Sequence, residues 1–104
     1  MATKGAEKQE KKISEFAEIA NSEFPDIGIM SFKGAFRWGA KNAVENSRFE
    51  DWQEVVKQPP AIRREFFKNL LEESKPHLKK LIGEDSVNSL LDTLLRENEK
   101  YLQD

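Results

Sequence analysis

A 104-residue chain with no cysteine must be held together by apolar burial, since neither disulfides nor thiolate-bound zinc are open to it. Its 38% hydrophobic content, with seven Phe and two Trp, is enough for one modest core and too little for two. Seventeen basic and 19 acidic residues leave a net charge of −2, which disfavours a general electrostatic hold on nucleic acid, and the missing thiols exclude cysteine nucleophiles and redox motifs.

Residues 1–12 are charged and nearly devoid of apolar groups, with Lys4, Lys8, Lys11 and Lys12 offset by Glu7 and Glu10. Such a segment buries too little to repay its own ordering and reads as a flexible tail, leaving 13–104 as the folded domain. The N-terminal stretch lacks the apolar run of a signal peptide, and no stretch of the chain reads as a membrane span, so a cytoplasmic location is expected.

Past the tail, apolar residues recur close to every 3.6 positions and nowhere alternate strictly, so the expected fold is all-α: a compact single-domain bundle of five or six short helices behind the flexible N-terminal tail. The first helix is expected over Ile13 to Glu23, with Ile13, Phe16, Ile19 and Ala20 on one face and Phe24-Pro25 as its stop. Pro25-Asp26-Ile27-Gly28 has turn chemistry.

The second helix, Met30 to Glu45, is apolar over more than one face. Ile29, Phe32, Phe36, Ala40 and Ala43 form one stripe, Lys33, Arg37 and Lys41 another, and Ala35, Gly39 and Ala43 make a small-residue row that admits a second backbone. Trp38 points well away from Phe36.

Ser47-Arg48-Phe49-Glu50 has the spacing of a capping box opening a third helix that turns Phe49, Trp52, Val55 and Val56 inward. Pro59-Pro60 separates it from a fourth carrying Ile62, Phe66, Phe67, Leu70 and Leu71. Pro76 is expected to open a further short helix ending at a left-handed Gly83, and the last helix, from Asp85 or Ser86, to bury Val87, Leu90, Leu91, Leu94 and Tyr101.

Chemistry is sparse. The single histidine, His77, has no second His or Cys for a dyad, and the adjacent carboxylates Glu50-Asp51, Glu72-Glu73 and Glu84-Asp85 diverge by about 100° on a helix, which keeps either pair member from sharing an ion with the other. Phosphate loops, zinc helices and calcium loops are missing, so neither a cofactor nor a metal is implied. The chain therefore reads as a non-catalytic interaction or regulatory domain that binds a protein partner or a second copy through Ile29 to Val44, with Phe32, Lys33, Phe36, Arg37, Trp38 and Lys41 as contact residues. The same aromatic and basic segment lying on a membrane surface is the competing reading, ahead of nucleic acid. A small enzyme using His77 or a carboxylate as base comes third.

Overall fold

The computed structural model describes residues 4–102, with side chains over 9–100. Five helices follow one another: α1 (Lys4–Glu23), α2 (Ile29–Glu45), α3 (Trp52–Val56), α4 (Pro60–Ile82) and α5 (Glu84–Leu102). No strand occurs among the described residues, and the Cα radius of gyration of 13.0 Å is that of a compact domain of this length. The all-α expectation holds.

α1 begins nine positions' worth of polar sequence earlier than expected, since residues from Lys4 onward continue the helix that starts burying side chains at Lys12. The tail expected through Lys12 is thus shortened. Once Ile13, Phe16, Ala17 and Ala20 are buried, extending the helix adds a backbone bond per residue without a new nucleation cost. Two side chains of the expected tail also find partners. Glu10 takes a bidentate bond from Arg37 of α2, with Nε to Oε1 and Nη2 to Oε2 both 3.0 Å, and this hydrogen bond holds its carboxyl below the usual range. Lys12 lays its stem inward until its Nζ stands 5.3 Å from the Phe16 ring centre and 5.1 Å from that of Phe67.

The α1 to α2 connection follows the expected turn, tied by Asn21 Nδ2 donating to the Ile27 carbonyl at 2.6 Å. α2 then crosses α4 at close range. A Cβ on Gly39 would collide with Ser74 Oγ and lie 2.5 Å from the Leu70 carbonyl oxygen. The small-residue row Ala35, Gly39 and Ala43 is buried, and the backbone it admits belongs to this same chain. Aromatic rings from α1 to α4 fill the core: Phe16 meets Phe36 at 5.7 Å between centres, while Trp52 meets Phe66 at 5.5 Å and Phe67 at 5.6 Å.

Three boundaries differ from expectation. Ser47 does not cap α3: its Oγ accepts from the Phe49 amide, while Asp51 caps the helix by accepting from the Glu54 amide at 3.1 Å and Glu54 returns to the Glu50 amide at 3.0 Å. The later cap wins because it brings Trp52 and Val55 into the core from the first turn. Pro76 does not open a helix but lies inside α4. An uninterrupted helix keeps Phe67, Leu70, Leu71, Ser74 and Leu78 on one buried stripe, and the burial of Leu78 offsets the hydrogen bond that Pro76 cannot give to the Glu72 carbonyl. Gly83 has positive φ, 86°, but with ψ 159° it is extended rather than left-handed helical, so α5 begins on the very next residue, at Glu84. That region is open almost only to glycine. In α5, Val87, Leu90, Leu91 and Leu94 are buried as expected, while the Tyr101 and Leu102 side chains lie outside the described residues.

Candidate interaction face on helix two

The six expected contact residues of α2 separate into two groups. Phe32 and Phe36 are fully buried, Phe36 against Phe16 and Phe32 with its ring 6.5 Å from that of Phe24. They belong to the core and offer nothing to a partner, which corrects the expectation for those two positions. The hydrophobic gain of sealing Phe36 against Phe16 and Phe32 against Phe24 decides the matter. Lys33, Arg37, Trp38 and Lys41 lie on the other side, Lys33 half-buried and the remainder exposed.

Met30 and Trp38 are the large apolar side chains left exposed among the described residues, at 63% and 46%. They fall on one line of α2 at i and i+8, and the residue between them on that line is Gly34. Nothing lies within 4 Å of where a Gly34 Cβ would stand. Unlike Gly39, this glycine has no packing reason to be there, and it weakens the helix by about 1 kcal/mol relative to alanine. The result is a flat strip of bare backbone between a thioether and an indole.

Trp38 has one aromatic neighbour among the described residues. Its indole packs edge-on against His77 of α4, 5.1 Å between ring centres at 65°. His77 sits in the C-terminal part of α4, because Pro76 does not begin a helix, and it lines neither of two surface cavities of about 630 and 250 Å³. Electrostatically the strip is positive. Arg37 is committed to Glu10, whereas Lys33 and Lys41 form no ion pair among the described residues.

The carboxylate pairs considered for chemistry each have a structural use. Asp51 caps α3, Glu73 accepts from Asn46 Nδ2 at 3.2 Å, and Glu84 pairs with Lys79 at 3.5 Å. No cluster of three or more His, Asp or Glu side chains suited to a metal ion occurs among the described residues, and no helix there is long and apolar enough to cross a membrane. Met30 and Gly34 are the members of this face that reading by residue type passed over, and His77, considered there only as a base, stands beside Trp38. The available signal was the mid-helix glycine on the same line as the tryptophan. Comparison with known proteins adds nothing to this geometry: no family model, curated protein or solved structure matches the chain.

Proposed function

We propose that this chain is a non-catalytic protein-interaction domain of the cytoplasm, binding a partner through the outer face of α2. The observation that carries the reading is Gly34, a mid-helix glycine facing open space between exposed Met30 and Trp38. A side chain there would stabilise the helix, so its absence fits a surface that another backbone must approach closely. Trp38, packed against His77, supplies an anchor of the kind that dominates interface energetics. Lys33 and Lys41, with no ion pair of their own among the described residues, favour a partner surface bearing carboxylates. The cysteine-free composition fits a reducing compartment.

Affinity capture from the native cell, read by mass spectrometry, tests this with wild type, Trp38→Ala and Gly34→Leu. Both substitutions fall on exposed positions and leave the core intact, so Trp38→Ala should melt close to wild type and Gly34→Leu at or above it. A partner retained by wild type and lost by both variants is the expected result. Equal recovery by all three would place binding elsewhere. Flotation of the wild-type protein with anionic vesicles at low salt would transfer the same face to a lipid partner.

A further inference from the structure

A second surface, between α1 and α5, has a different chemistry. α1 and α5 leave between them a groove of about 630 Å³ whose lining includes Phe16 and Ile19. Four carboxylates line it, Glu15, Glu18 and Glu23 from α1 and Glu97 from α5, against one ammonium, that of Lys12. Lys12 is itself turned inward and lies 3.6 Å from Glu15, and Glu97 pairs with Lys100 Nζ at 3.3 Å, so Glu18 and Glu23 are the rim carboxylates with no ion pair among the described residues and the rim stays net negative. Thr93 closes one part of the wall with its hydroxyl given to the Ser89 carbonyl.

An independent feature lies in the same groove. Asn98 is only 3% exposed, on the α5 stripe otherwise occupied by Val87, Leu91 and Leu94, and its Oδ1 is buried with no hydrogen-bond partner. A buried acceptor left unmade costs about 1 to 3 kcal/mol, and leucine at this position would remove the cost and continue the stripe. The asparagine is therefore unexplained by the fold, and it lines a cavity whose rim calls for positive charge.

We infer that this groove binds a cationic amphipathic helix of a protein partner. Its apolar residues would cover the half-buried Ile19, its Lys or Arg side chains would meet Glu15, Glu18, Glu23 and Glu97, and one of its N–H donors would satisfy Asn98 Oδ1. The length agrees: at 1.5 Å per residue, the α1 stretch from Lys12 to Glu23 runs for about 16 Å, or about three turns. Helix-in-groove recognition with charged flanks needs these elements and no others. The inference does not rest on the outer face of α2, whose charge is opposite.

The test uses a fluorescein-labelled amphipathic peptide of Leu and Lys about 11 residues long, its Leu and Glu counterpart, and fluorescence anisotropy at low salt. Wild type should bind the Leu/Lys peptide and not the Leu/Glu peptide. Glu18→Lys with Glu97→Lys should weaken binding at least about tenfold, whereas Glu65→Lys with Glu72→Lys, the same charge change on exposed positions of α4, should leave it within about twofold. Asn98→Leu should weaken binding while raising the melting temperature, a combination that a merely structural asparagine does not produce. The inference is overturned by no binding to wild type, by equal binding of both peptides, or by equal weakening in the two double variants, which would reduce the effect to net charge.

Discussion

Gly34 and Gly39 sit on the same helix and respond in opposite directions to an added methyl group. At Gly34 the space is open, so Gly34→Ala should raise unfolding stability by about 0.5 to 1 kcal/mol in urea titration. At Gly39 the methyl would meet Ser74 Oγ and the Leu70 carbonyl oxygen, and Gly39→Ala should cost about 1 to 3 kcal/mol by the same measurement. Phe36 and Trp38 divide in the same way: Phe36→Ala removes a fully buried ring and should cost about 3 to 5 kcal/mol, while Trp38→Ala should leave the fold intact. Lys12 gives a pH signature. Burial, against the pull of Glu15, holds its ammonium below the ordinary 10.5, so the folded state releases that proton before the unfolded chain does. Below the folded value both states are protonated and the cost of burying the charge is present in full. As pH rises from there toward 10.5 the unfolded chain binds more protons, and stability increases. Wild type should therefore gain melting temperature relative to Lys12→Met on going from neutral toward that pH. A constant difference between the two proteins would contradict this account.

Elements show what a sequence can and cannot disclose. The faces of α2, α4 and α5 were legible because Phe32, Phe36, Leu70, Leu71, Leu90 and Leu94 repeat at the helical period and all are buried. The ends were less so. Ser47 and Asp51 both stand three residues before a glutamate, and only packing of Trp52 decides which of them caps. Pro76 reads locally as a break, yet the buried stripe on either side of it outweighs that preference. Pro76→Ala should accordingly stabilise the protein, by up to about 3 kcal/mol, since it restores a donor to the Glu72 carbonyl without disturbing a buried side chain. Denaturant midpoints that stay put or fall would show that the helix has already adapted to the ring. The candidate face was half legible: the cations and Trp38 could be found by type, but Phe32 and Phe36 look the same as surface aromatics until their neighbours Phe24 and Phe16 are known. The α1/α5 groove was hidden for the same reason, although Asn98 on an otherwise aliphatic stripe marks it.

For the whole molecule, the two tryptophans report on opposite environments, Trp52 in the core and Trp38 at the surface. Removing the surface indole by Trp38→Phe should lower the acrylamide quenching constant of the native protein severalfold, and quenching that persists would mean that Trp52 is reached by solvent. Ion pairs contribute little at this scale. Arg37 with Glu10 and Arg64 with Glu99 are bidentate but exposed, and salt should weaken both without unfolding the domain. Arg64, near the start of α4, meets Glu99, near the end of α5, so the two helices lie antiparallel with Gly83 as their sole linker. That joint has a kinetic meaning. With almost no chain to close, the contacts between α4 and α5 nearest Gly83 involve the smallest loss of loop entropy of any interhelical contacts described here. Folding should start there, and substitutions at Leu78 and Val87 should slow refolding more than those at Phe16, which waits for α1 to arrive from the other end of the chain.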